Sequence, residues 1–89
     1  MAVGIRIKLQ GVTQEQFDAI DAAVGKGPFD GLIFHASGPI DGGWGVIDFW
    51  DSRAQFDAFI TQHVMPVMGG TPAPPPDIRE FPVHEFLKP

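Results

Sequence analysis

The first ten residues alternate between apolar and polar or small side chains. Val3, Ile5, Ile7 and Leu9 are each followed by a glycine, a charged residue or glutamine. This period of two is typical of a β-strand that buries one face. The segment is therefore predicted to be the first strand.

Two later segments follow the period of an α-helix. Thr13 with Gln16, and Ser52 with Gln55, have the spacing of N-terminal capping boxes. The first helix carries its apolar stripe at Phe17, Ile20 and Val24 and is expected to end near Gly25 and Gly27; the second carries it at Phe56, Phe59, Ile60, Val64 and Val67. Pro66 lies inside the second stripe and is expected to kink or end that helix.

The remaining strands are indicated by apolar and β-branched runs between turn residues. Segments 31–38 and 43–50 flank Asp41-Gly42, a pair that favours a type I′ hairpin turn. Segment 78–87 is predicted to be the last strand, with Pro82 placing it at a sheet edge or bulge. Residues 69–77, rich in proline, read as a stiff connection.

The order β-α-β-β-α-β with right-handed crossovers predicts an α+β, ferredoxin-like fold with a four-stranded antiparallel sheet and both helices on one face. One domain accounts for residues 1–89. A chain this short buries only about 60–65% of its surface alone, so a second copy is expected to complete the core.

Composition narrows the classes of function. The chain has no cysteine and a net charge of -5, with its basic residues scattered singly. These features exclude disulfides and thiolate chemistry, and they argue against nucleic-acid or membrane partners. Without a long apolar segment, the protein is expected to be cytoplasmic.

The hairpin pairs specific side chains across its two strands. A two-residue or four-residue loop places His35 opposite Asp48, Ile33 opposite Trp50, and Ser37 opposite Val46. The other face of the hairpin is predicted to be core, and it carries Leu32, Phe34, Ala36, Ile47 and Phe49.

Asp48 lies between apolar neighbours, where an unpaired carboxylate would cost several kcal/mol. His35 is its nearest candidate partner, followed by Arg6 or Lys8. Two interpretations stay open: a structural ion pair, or a catalytic dyad in which Asp48 orients His35 as a general base.

The other candidate site residues are less constrained. His63 lies beside the second helical stripe and is a candidate second acid or base, while His84 lies on the last predicted strand. No pair of histidines has metal-ligand spacing, so no metal is expected, although haem bound by His63 is conceivable. The glycines around Trp44 fit a turn and not a phosphate loop. The candidate ligand-binding set is Trp44, Trp50, Phe56, Phe59, His84 and Arg6.

Segments 31–39, 42–44, 48–56, 65–68 and 81–84, in this strand order, resemble the dimeric α+β barrel superfamily. The closest resemblance is to small actinobacterial-type proteins near the antibiotic-biosynthesis-monooxygenase-like members. The resemblance implies a homodimer whose sheets form a barrel, with a hydrophobic aromatic or polyketide-like ligand between sheet and helices. The monooxygenases' Asn-Trp-His signature is not recognisable, so no catalytic set is carried over.

Three hypotheses about function follow. The first is a cofactor-independent monooxygenase or cyclase in which His35 removes a proton next to a carbonyl. The second is a noncatalytic ligand-binding or accessory dimer, with haem binding as a third alternative. Whether the His35 face turns toward the helices or toward the partner is left open by the sequence.

Overall fold

The computed structural model describes residues 1–68 and 75–89. Four strands are formed: β1 (Val3–Gln10), β2 (Leu32–Ile40), β3 (Gly43–Trp50) and β4 (Asp77–Pro82). The helices are α1 (Gln14–Val24), α2 (Arg53–Phe59), a π-helical segment (Ile60–Val64) and α3 (Met65–Met68). Most of the predicted proline-rich connection lies outside the described residues.

The sheet has the order β2-β3-β1-β4 with every neighbouring pair antiparallel. Side chains of α1, the π-helical segment and α3 all face the same side of this sheet. The ferredoxin-like α+β fold predicted from the sequence is therefore confirmed. None of the helices in the described part of the chain is long and apolar enough to span a membrane.

The β2–β3 hairpin confirms most of the predicted register. His35 pairs with Asp48 and Ser37 with Val46 across a two-residue turn. A bulge between Leu32 and Phe34 places Leu32, not Ile33, opposite Trp50, so that part of the prediction is wrong. Positive φ is confined to Gly42 in the turn, and the expected type I′ geometry, which needs it at Asp41 as well, is not formed.

The core lies between the helices and one face of the sheet. Ile5, Trp50 and Phe56 are its most buried large side chains. The opposite face was expected to be core, but its members Phe34 and Ile47 are exposed in the single chain. The physical reason is that both helices cover the face carrying Asp48, so the other face is covered only in part, by contacts such as those of Phe81 and Phe86 with Phe49.

Both predicted helix starts are capped. Thr13 and Gln16 form the full capping box, while Ser52 accepts from the Gln55 amide. The second helix does not end at Pro66: it widens into the π-helical segment, where the Met65 amide donates to the Ile60 carbonyl, and continues to Met68.

The extra residue in this π turn changes which side chains face the sheet. An α-helix rotates about 100° per residue, so one added residue shifts the apolar stripe by that angle. Met65 and Met68 consequently line the cavity beside this helix, Met65 at its exposed rim, whereas the part-buried Val67 does not line it. His63 is left exposed beside the stripe.

The last strand is shorter than predicted. β4 ends at Pro82 and lies at the sheet edge, as the proline indicated. One further backbone bond joins the Val83 amide to the Ala2 carbonyl at 2.9 Å. His84 therefore follows the strand instead of lying on it, which corrects its predicted placement.

Gly43 provides a test of the fold because β1 passes directly behind the hairpin turn. A Cβ at Gly43 would lie 2.2 Å from the Leu9 carbonyl oxygen, whereas a Cβ at Gly38 would meet no atom within 4 Å. Gly43→Ala is expected to lower the free energy of unfolding by about 1–3 kcal/mol. Gly38→Ala, the matched control in the same hairpin, is expected to be neutral or to stabilise by up to about 1 kcal/mol. Urea denaturation measures both, and equal values would contradict this packing.

Candidate functional site

A cavity of about 350 Å³ lies between the helices and the sheet. Apolar side chains from β1, α1, α3 and β4 form most of its wall. Among the described lining residues the ionisable ones are Asp21, His35 and Asp48. The cavity is thus an apolar chamber with a small group of titratable side chains in its wall.

Asp48 is the buried charge of this site. It is 3% exposed, and each of its carboxylate oxygens has one partner. His35 Nδ1 lies 2.6 Å from Oδ1, and Trp50 Nε1 donates to Oδ2 at 3.2 Å. Because both oxygens are bonded, the plane of the carboxylate is fixed.

Strand alternation explains why these groups meet. Val46, Asp48 and Trp50 are successive inward residues of β3; all three are buried and alternate with less buried residues. The hairpin register then places His35 beside Asp48 on the same face. Arg6 and Lys8, the other partners considered for Asp48, pair with Ile47 and Gly45 and belong to the opposite face.

The environment of His35 favours its protonated form. The hydrogen bond to Asp48 raises the pKa of His35 above its ordinary value of 6.5, against the lowering effect of partial burial. The negative charges of Asp48 and Asp21 raise this pKa further, while Lys26 lowers it. With Asp48 ionised, Nδ1 carries the proton of the bond, which leaves Nε2 as the second ring nitrogen for proton transfer.

The predicted aromatic residues occupy two layers. Phe59 lines the cavity directly. Trp50 and Phe56 lie behind the wall with their ring centroids 6.0 Å apart, and each is 1% exposed. Trp44 stacks on Phe17 at 5.5 Å, and its buried Nε1 has no hydrogen-bond partner in the described part of the chain.

Three other predicted site residues lie away from the dyad. The His63 ring packs against Phe29 and Phe59, with centroids 5.2 and 5.8 Å away, and His63 is not among the lining residues. Arg6 lies on the open face of the sheet and bonds Asp77 at 3.4 Å. His84 is exposed after β4.

Sequence reasoning did not assign the helical part of the cavity wall. Phe17, Ile20 and Val24 were interpreted only as a packing stripe, and Asp21 was not considered. Asp21 follows Phe17 by four residues, so helical spacing places it on the stripe. A charged residue at an apolar position was the available signal.

Fold and cavity together define a small ferredoxin-like α+β protein in which the buried Asp48 and the partly exposed His35 form a hydrogen-bonded pair in the wall of a cavity of about 350 Å³. No protein-family model matches the sequence, and no curated protein matches it either.

Two solved structures share this fold over nearly the whole chain. One is a variant of MhuD with two manganese protoporphyrin IX groups bound per active site; it is 20% identical, with both chains covered completely and a TM-score of 0.64. The other is a variant of SnoaB, a cofactor-independent oxygenase from Streptomyces nogalater; it is 14% identical, covering 97% of this chain and 95% of that one, with a TM-score of 0.63. At these identities the two similarities show the fold, and the fold that the resemblance implied is confirmed.

Two buried tryptophans allow the hydrogen bond to Asp48 to be tested. Trp50→Phe removes a donor to the carboxylate, whereas Trp44→Phe removes an unpaired N–H. We expect Trp50→Phe to lose about 1–3 kcal/mol more unfolding free energy than Trp44→Phe, because a buried charged acceptor is left with one partner fewer.

The Trp50→Phe and Trp44→Phe variants should also differ in the pKa of His35. Trp50→Phe is expected to raise the pKa of His35 further, since Asp48 then depends on His35 alone. NMR titration of the ring protons measures this, with His63 and His84 as internal references. Equal destabilisation and an unchanged His35 pKa in both variants would show that the Trp50 bond is unimportant.

Proposed function

We propose that this protein is a small acid–base enzyme that removes a proton from carbon next to a carbonyl in a hydrophobic aromatic or polyketide-like molecule. The observation that carries the proposal is the His35–Asp48 pair in the wall of an apolar cavity. Asp48 is too buried to act as an exposed surface charge, and His35 is 39% exposed in its side chain, so the imidazole is the member that can exchange protons.

The geometry supports a division of roles within the pair. Asp48 holds Nδ1–H and stabilises the imidazolium, and Nε2 takes the proton from the substrate. The C–H electron pair remains on the substrate as an enolate. Because the pKa of His35 is raised, the neutral base is stronger than an ordinary histidine and becomes abundant only as pH rises above 6.5.

The enolate then has two fates in this proposal. It can close a ring by attacking a second carbonyl of the same molecule. Alternatively, it can combine with O2; protonation gives a hydroperoxide, which loses water and leaves a new carbonyl where the CH2 stood. The structural likeness to SnoaB, a cofactor-independent oxygenase, supports the second course.

Within the competing hypothesis of a noncatalytic ligand-binding or accessory dimer, a purely accessory role would be favoured by a cavity smaller than one aromatic ring or filled by Trp and Met side chains. The chamber of about 350 Å³ exceeds the roughly 150 Å³ that holds one benzene. Trp44 and Trp50 lie outside its lining, so their rings do not fill it. This volume favours a ligand-binding site over a polar cluster that only sets the strand register.

The porphyrin groups bound by MhuD raise the question of whether haem fits here. A histidine bonded to a carboxylate can serve as a metal ligand, so His35 is chemically suitable. However, a macrocycle of four pyrroles requires more than a chamber of about 350 Å³, and no lysine or arginine among the described lining residues would pair with its propionates. His63, the sequence candidate for haem, lies outside this lining. The residues present do not fit haem.

Proton exchange in a two-ring ketone tests the proposed chemistry. We expect the protein to accelerate exchange of the α-protons of 2-tetralone in D2O, followed by NMR, beyond an equal concentration of imidazole. The rate should rise with pH through the folded-state pKa of His35, because only the neutral ring is a base. His35→Gln should lose about 100-fold.

Asp48→Asn tests whether Asp48 orients the His35 ring for proton transfer or only stabilises the fold. It should lower the pKa of His35, so that the profile of exchange rate against pH moves to lower pH. It should also lower the limiting exchange rate, because Asp48 no longer orients the ring. If both variants lose stability yet leave exchange unchanged, the pair is structural and the proposal fails. A loss in His63→Gln would assign the second proton-transfer role, which remains a prediction, to His63.

We also propose that the working form is a cytoplasmic homodimer. The open face of the sheet carries exposed Phe34, Ile47 and Phe81, which form an unusually apolar surface for a single small domain. A second copy packed against this face would cover these side chains. The cavity lies on the other side of the sheet and would remain accessible.

Light scattering checks the oligomeric state. The native protein is expected to have about twice the chain mass of 9.7 kDa. Ile47→Asp should give the single-chain mass, because it places a charge within the covered face. Ala19→Asp, on the exposed side of α1, is the matched control and should remain dimeric. A native mass of one chain at micromolar concentration would overturn the dimer.

A further inference from the structure

The charges around the cavity are arranged unevenly. The described lining contains the carboxylates of Asp21 and Asp48, and His35 is the one lining group that can carry positive charge. His35 is already bonded to Asp48 at 2.6 Å. A ligand carboxylate entering the chamber would therefore meet no uncommitted cation in the described wall.

Asp21 lies on α1 in the same wall as Phe17, Ile20 and Val24. Lys26 bonds Asp21 at 2.7 Å from outside the lining, and the Lys26 side chain is 84% exposed. Solvent screens such an exposed charge more than a half-buried one. In keeping with this arrangement, the negative charge of Asp21 affects the pKa of His35 more than the positive charge of Lys26 does.

We infer that the cavity selects ligands that are neutral on entry and weakly acidic, such as phenols and enolisable ketones, and that Asp21 is the residue that rejects carboxylates. This inference rests on the proposed ligand site and specifies the substrate class. A neutral ligand becomes an anion only when His35 removes its proton. The same step turns His35 into an imidazolium cation, which lies beside the new anion and stabilises it.

The volume sets a second limit on the ligand class. The chamber is a little more than twice the roughly 150 Å³ of a benzene-sized cavity. Two fused rings are therefore suitable probes, and matched compounds that differ only in one substituent isolate the effect of charge.

The experiment compares 2-naphthol with 2-naphthoate at neutral pH, where the first is neutral and the second ionised. Binding is followed by NMR shifts of His35 and of the cavity-lining methyl groups. The native protein should bind the naphthol at least about 5-fold more tightly than the naphthoate. Asp21→Asn, which keeps the size of the side chain, should improve naphthoate binding about 5-fold and change naphthol binding by less, so that the preference for naphthol falls.

Two further variants control this result. Asp18→Asn removes a charge from the exposed side of the same helix and should not change the preference. Lys26→Gln leaves Asp21 without its partner and should weaken naphthoate binding, the opposite sign to Asp21→Asn. This second variant tests the inference even if Asp21→Asn folds poorly.

The outcomes distinguish the inference from the proposed function. If naphthol binds and shifts His35, but Asp21→Asn and Lys26→Gln leave the preference unchanged, the role of Asp21 is refuted while the ligand site stands. An equal gain in Asp18→Asn would reduce the effect to net charge and refute it as well. If neither probe binds or shifts His35, the ligand site itself fails.

Discussion

The structure depends on keeping one carboxylate, that of Asp48, almost fully buried. Removing one partner from a fully buried ion pair costs about 3–5 kcal/mol, and somewhat less here because His35 is partly exposed. Trp50 supplies the second bond and is itself 1% exposed. The central strand, the hairpin register and the packing of α2 against Trp50 are thus tied to the same charged group.

The two faces of the sheet divide the tasks of the molecule. One face, covered by helices, holds the charge, the imidazole and the chamber. The other carries exposed aromatic side chains, with the Phe86 ring of the C-terminal segment lying 5.7 Å from that of Phe49. Because successive side chains of a strand point to opposite faces, neighbouring residues lie in these two different environments. A shift of the strand register by one residue would move every side chain of that strand to the other face.

Local rules were sufficient to predict much of this fold. Thr13 with Gln16 marked a helix start, Pro82 marked an edge strand, and hairpin pairing placed His35 beside Asp48. The bulge at Ile33 was not predicted, and the type I′ geometry expected at Asp41-Gly42 is wrong, because both depend on how β2 adjusts to its neighbours. The chamber also could not be read from Phe17 and Ile20, since periodicity shows which side chains face inward but not how far the helix stands from the sheet.

The π-helical segment has a consequence for comparing this chain with others of its fold. It lengthens the helix by one residue without adding a turn, so every position from about Ile60 onward is displaced by one relative to an uninterrupted helix. Sequence matching that admits no gap there would equate His63 with a neighbour of its true counterpart. For a protein of this fold whose helix is uninterrupted here, a residue matched through this helix needs a one-residue offset.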